Sequence, residues 1–160
     1  MDGRTMSLLV VGSVALDSIE TPFGKVQDSL GGTASFFAFA ARHFADTKIV
    51  GVVGEDFPQE YLSLFQSGNI DVAGLQRLPG KTFRWSGYYD YDLNTAQTLD
   101  TQLNVFMDFH PVLPCEYQES EMVFLGNIDP VLQMDVLGQT SPKLTVLDSI
   151  KRGRACAFVA

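Results

Sequence analysis

At 160 residues, with 46% hydrophobic and 19% charged side chains, the chain has the size and apolar content of one folded domain. Its formal charge of -8 and pI near 4.5 argue against a nucleic-acid binder, which carries a basic face, but leave room for a local anion site. Cys115 and Cys156 are too few for a disulfide scaffold or a zinc site, and no basic-then-apolar leader precedes "SLLVVGSVALD", so a cytoplasmic protein with no membrane partner is expected.

The run from Ser7 to Gly12, with paired valines closed by glycine, predicts a buried parallel strand. "ETPFGKV" predicts a turn or short hairpin. "DSLGGTASFFAFAARHF" then opens from a glycine pair into a helix over roughly Thr33 to Phe44, with Phe36, Phe37, Phe39 and Phe44 inside nine residues. That stretch is too apolar for a surface helix and too short for a membrane span of about 20 residues, so a buried helix is expected.

"TKIVGVVGED" repeats the pattern of strand, glycine and acid. In "DFPQEYLSLFQSGNI", Asp56 is a candidate N-cap with Gln59 at the capping-box spacing, Pro58 falls in the first turn and Gly68 reads as the stop. The strand–helix rhythm argues for an α/β layered fold. "TFRWSGYYDYD" alternates with period two, placing Phe83, Trp85, Gly87, Tyr89 and Tyr91 on one face and Arg84, Ser86, Tyr88 and Asp90 on the other. "TLDTQLNVF" is its candidate partner in a small antiparallel layer. "EMVFLGNIDP" brings back the α/β rhythm, with Asp129 and Pro130 starting a helix to Leu137, and "KLTVLDS" reads as one more buried strand.

Three stretches in this order, "VVGSVALD", "LGGTASFFAFAARHF" and "VGVVGEDFPQEYLSLFQSGNID", resemble the amino-terminal half of the ribokinase-like, PfkB-type carbohydrate kinases, over about Leu8 to Asp148. "KTFRWSGYYDYDLNTAQTLDTQLNVF" is similar to a branch of uncharacterised sugar kinases in that family. The resemblance implies an α/β class fold: a layered α/β/α core, here incomplete, with a small antiparallel β lid. It places a partial kinase domain at residues 1-149, lid strands at about 14-30 and 81-106, and an atypical tail at 150-160.

It also implies transfer of the ATP γ-phosphoryl, with Mg²⁺, to an alcohol of a sugar or nucleoside. Asp17 matches the family's substrate aspartate; a carboxylate accepts two hydroxyls at once. Gly31 and Gly32 match its glycine pair, where a substrate approaches bare backbone, and the helix behind them would offer free N–H groups and a positive dipole end. Two departures stand out. Phe36 occupies the place of an asparagine that binds hydroxyls in many sugar-specific relatives. The Gly-Ala-Gly-Asp loop that carries the family's catalytic base does not occur in the sequence. The chain as it stands is therefore expected to be inactive alone, to bind ATP and Mg²⁺ poorly and to contain no catalytic residue.

Other residues keep two readings. Arg84, with Lys81, could meet a phosphate or acidic substrate, or could simply line a solvated strand face. Asn127 follows a buried strand, at the edge where α/β proteins place ligands, or is a helix-start turn residue. Trp85 and the tyrosines could stack on a base or sugar, pack the lid, or join two lids in a homodimer. An alternative to the kinase reading is a non-catalytic ligand-binding or dimerisation module built on the lid.

Overall fold

The computed structural model describes residues 6–148; the atypical tail expected from residue 150 lies outside the described residues. Five strands form a wholly parallel sheet: β1 (Ser7–Val11), β4 (Asp46–Gly54), β5 (Asp71–Leu78), β8 (Met122–Leu125) and β9 (Leu144–Leu147), in the spatial order β5-β4-β1-β8-β9. Successive strand residues face opposite sides, and this alternation builds two cores. Leu8 and Val10 of β1 pack with Ala34 and Ala38 of α1 (Thr33–Ala41) and Phe65 of α2 (Gln59–Ser67). Leu9 and Val11 pack with Tyr117 of α3 (Cys115–Gln118) and Val136 of α4 (Pro130–Gln139). The result is the expected α/β/α layering.

A second sheet of four strands, β2 (Ala15–Thr21), β3 (Gly24–Gly31), β6 (Phe83–Tyr89) and β7 (Ala96–Gln102), has the order β3-β2-β6-β7. It consists of two antiparallel hairpins, one closed by the "ETPFGKV" turn, joined along β2 and β6 by a parallel pairing. The first hairpin leaves the carboxyl end of β1 and the second leaves the carboxyl end of β5. Both therefore rise from the same edge of the parallel sheet.

The buried helix expected from the phenylalanine run is only half buried. Phe37 stacks on Phe124 at 3.6 Å between centroids and Phe39 stacks on Phe65 at 5.2 Å. Phe36, however, is 64% exposed, and Phe44, beyond the helix end at Ala41, is 82% exposed. A helix on a sheet buries one stripe, here centred on Ala34 and Ala38, and Phe36 lies off that stripe.

Other local expectations change too. Asp56 does not cap α2; Pro58 holds the N-cap position without a side-chain bond, and the Asp56 carboxylate turns to Thr82 and Arg84. The helix ends in a Schellman arrangement whose left-handed residue is Asn69 (φ 56°) rather than Gly68, with Ile70 N–H donating to the Phe65 carbonyl. Asp129 does cap α4, accepting from Val131 N–H at 2.9 Å. The strand β5 escaped the sequence reading, and β9, expected to be buried, exposes Leu144, Val146 and Leu147 because among the described residues it pairs only with β8. No helix among the described residues is long and apolar enough to cross a membrane.

The division of labour among the phenylalanines is testable. Phe65→Ala, at a fully buried site, should cost about 3–5 kcal/mol, whereas Phe36→Ala should stay within about 0.5 kcal/mol. Urea midpoints of the two variants check both values.

Candidate functional site

In open α/β sheets ligands bind outside the carboxyl ends of the strands, where the strand order reverses. Here that point lies between β1 and β8, because β4 and β5 extend the sheet one way and β8 and β9 the other. Gly12 follows β1 and Gly126 follows β8; a Cβ on either would stand 3.0 or 2.5 Å from the Thr33 hydroxyl. Their lack of side chains seats the amino end of α1 in the crevice.

Three of the five candidate ligand residues meet there. Asp17, on β2, is directly beside Ser29 of β3, and Ser29 Oγ donates to the Asp17 carbonyl at 2.9 Å. Two residues along β3, Gly31 lies under the Asp17 carboxylate; a Cβ on Gly31 would overlap it. Gly32 N–H donates to the same carboxylate. Gly32 also has φ 94°, and a Cβ there would run into the Ser13 carbonyl, so only glycine fits without strain. The carboxylate is thus held against bare backbone at the helix entrance, where the glycine pair was expected to admit a substrate.

The helix end itself differs from expectation. Thr33 N–H donates to Ser13 Oγ at 3.1 Å and Ala34 N–H to the Ser13 carbonyl at 3.0 Å, while Gly32 N–H serves Asp17. The leading N–H groups are already engaged inside the protein, so they do not form an open anion cradle. Ser13, unremarked in the sequence, supplies this cap; the signal was a serine between the strand-ending Gly12 and the next apolar pair.

Asn127 is half-buried beside Gly126, at the same sheet edge, and its amide has no hydrogen bond among the described residues. Arg84 sits elsewhere. In the β2–β6 register Leu16 is beside Arg84 and Asp17 beside Trp85, so Arg84 occupies the face opposite the Asp17 carboxylate. Its Nη1 donates to Asp56 Oδ2 at 2.7 Å and its Nε to Asp28 Oδ1 at 3.2 Å. Trp85, by contrast, shares the face of Asp17; its indole lies over Gly87 and donates to Thr98 Oγ1 at 3.3 Å.

Burial pushes the Asp17 carboxyl up to about 6, with the Gly32 N–H opposing. At neutral pH it is ionised and acceptor-only, suited to a pair of ligand hydroxyls. Among the described residues no three His, Cys, Asp or Glu side chains gather as a cation site.

Comparison with known proteins bears on the fold. The chain is 30% identical to the cytidine kinase of Thermococcus kodakarensis over 144 residues, 89% of this chain and 51% of that one. The Burkholderia thailandensis nucleoside kinase in complex with inosine superposes with a TM-score of 0.74 at 20% identity, covering 86% of this chain and 51% of the kinase. The ribokinase of Cryptococcus neoformans var. grubii serotype A in complex with ADP gives 0.73 at 19% identity, covering 92% and 51%. No protein-family model matches. The chain has the ribokinase-like fold of the PfkB-type carbohydrate kinases, and it spans about half the length of these relatives.

The raised Asp17 value has a signed consequence. An unfolded aspartate releases its proton near 3.8, the folded one near 6. The stability this group contributes is therefore complete below the unfolded value and is lost as pH rises through about 6. Asp17→Asn, which mimics the protonated form, should match the parent at pH 4 and melt about 2–4 °C higher at pH 8. Thermal scans at the two pH values decide it.

Proposed function

We propose that this chain is the acceptor-binding side of an ATP-dependent kinase of the ribokinase-like family, with a nucleoside or sugar alcohol as acceptor and the second sheet as lid. The observation that carries this reading is the Asp17 carboxylate resting on Gly31 and Gly32 at the switch point of the parallel sheet. An ionised carboxylate there can accept two vicinal hydroxyls, and the bare glycines let it lie against the helix entrance. In this reading Asp17 orients the acceptor, Asn127 reaches it from the β8 edge, and the domain occupies residues 1-149.

A nucleoside is favoured over a free sugar. Phe36, one turn along α1 from Gly32, offers an exposed ring and no hydrogen bond, and Trp85 shares the face of Asp17. A flat base has a use for such surfaces; a small polyol needs more polar partners than the site provides. The cytidine and inosine named for two of the relatives fit the same choice.

Phosphoryl transfer rests on positioning and on electrostatic stabilisation of developing charge. This chain supplies the first for the acceptor. With no Gly-Ala-Gly-Asp segment in the sequence and the α1 N–H groups engaged, it lacks the second. Alone it should transfer no phosphate; protein-dependent ADP formation from ATP with a sugar and nucleoside panel would refute that statement.

Titration followed by amide NMR at pH 7.5 tests the binding itself. Cytidine or inosine should shift the Gly31 and Gly32 resonances saturably, ribose and fructose less, and the response should fade below pH 6 as Asp17 takes up its proton. Unmoved glycine amides with every probe would sink the reading. The exposed Phe23–Tyr91 edge contact at 5.9 Å on the second sheet supports a rival, a dimerisation module. Self-association without any ligand response would favour the rival.

A further inference from the structure

The bridge through Arg84 is more elaborate than a solvated strand face requires. One guanidinium joins three chain segments: Asp28 on β3, Asp56 in the β4–α2 turn, and β6, which carries it. Its Nη1 also donates to the Thr82 carbonyl at 3.3 Å. Asp56 is anchored in turn, because its Oδ1 accepts from both Thr82 N–H at 2.7 Å and Thr82 Oγ1 at 2.8 Å, and Gly54 N–H donates to Thr82 Oγ1 at 3.0 Å. Burial works against ionisation of Asp56, yet the Thr82 and Arg84 donors hold its carboxyl below the usual carboxylate range.

The other arm is built by a break in register. Between paired positions, β2 has only Ser18 where β3 has both Gln27 and Asp28. This is a bulge, and a bulge re-aims a side chain. Asp28 lies in it with φ 49°, a conformation that is uncommon outside glycine. Ser18 Oγ accepts from Asp28 N–H at 3.2 Å, and Tyr61 of α2 donates to the Asp28 carbonyl at 3.0 Å. The bulge therefore presents the Asp28 carboxylate to Arg84 while the next β2 residue toward the crevice, Asp17, faces the site.

We propose that the Asp28–Arg84–Asp56 bridge is a clamp that sets the angle of the second sheet against the parallel sheet, making Arg84 a positioning residue for the ligand face rather than a ligand. The strand pair β2–β6 carries Asp17 and Trp85 on one face and the clamp on the other. Releasing the outer face would let the inner face swing away from the carboxyl edge of the parallel sheet. The proposal uses the acceptor-site reading for its consequence, but its structural core does not depend on any ligand.

The test is hydrogen exchange read by mass spectrometry on the 160-residue chain and its variants. In Arg84→Ala, amides of β2, β3, β6 and β7 should exchange about tenfold faster while β1, β4 and β8 keep parental rates, since the change opens a sub-global unit only. Arg84→Lys, which keeps the charge but cannot fork to two carboxylates, should fall between the parent and Ala. Equal acceleration in both sheets, or none, would overturn the clamp, the first by showing mere loss of stability. Should Arg84→Ala fail to fold, Asp56→Asn, which weakens the arm that spans the two sheets, carries the same expectation and the same refutation. Cytidine titration of the same variants is a separate arm: a weaker response in Arg84→Ala than in the parent extends the clamp to the site. A parent that ignores every nucleoside and sugar defeats the acceptor reading while the exchange result still decides the clamp.

Discussion

The contact on which the rest depends is the meeting of the Asp17 carboxylate with backbone that has no side chains. Gly31 must be bare because the carboxylate fills the place of its Cβ, and Gly32 must be bare because the Ser13 carbonyl and a positive φ leave no room for one. These demands tie together the loop leaving β1, the second strand of the β2–β3 hairpin, and the start of α1. A partly buried carboxyl pushed up to about 6 is a poor choice for stability, since burial disfavours its ionised form at neutral pH. Sites that keep such a group are where a functional reason is sought.

The second sheet follows from that contact. Its hairpins start from the carboxyl edge of the parallel sheet, so its roots lie at the edge that holds the switch point. Topology fixes only the roots, however. Between the roots the sheet is a thin layer, with one face toward the crevice and the other largely toward solvent, and β7 is exposed along its whole length. Bridges such as Arg84 to Asp56 then matter more than an exposed ion pair would, because the charges are partly shielded and their partner Thr82 is wholly buried.

Much of this architecture was legible because its signals were local. The alternating strands, the Asp129–Pro130 start of α4 and the order of motifs around the glycine pair each state their structure within a few residues. What was not legible depended on partners far away in sequence. Asp56 reads as a helix cap until Thr82 and Arg84 arrive from another sheet. The phenylalanines of α1 look equally buried, although only a helix docked on a particular sheet face decides that Phe37 and Phe39 go inside while Phe36 does not. The strand β5 was missed because "DVAGLQRL" mixes polar residues with a central glycine, and Gly74 is required by the closeness of Tyr117 and Ile49, which sequence proximity does not reveal.

The fate of the α1 N–H groups separates two tasks that a kinase must perform. A helix start at a switch point is well placed to hold an anion. Here Asp17 and Ser13 satisfy those donors first. An incoming phosphate would have to displace a carboxylate and a backbone carbonyl, and would then share the crevice with the displaced negative charge. A neutral polyol meets no such opposition, since it replaces no donor and gives the carboxylate hydroxyl protons to accept. The charge that would suit a ligand's hydroxyls therefore opposes a phosphate at the same place. A phosphate at this crevice would need donors other than Gly32, Thr33 and Ala34, whose N–H groups are taken by Asp17 and Ser13.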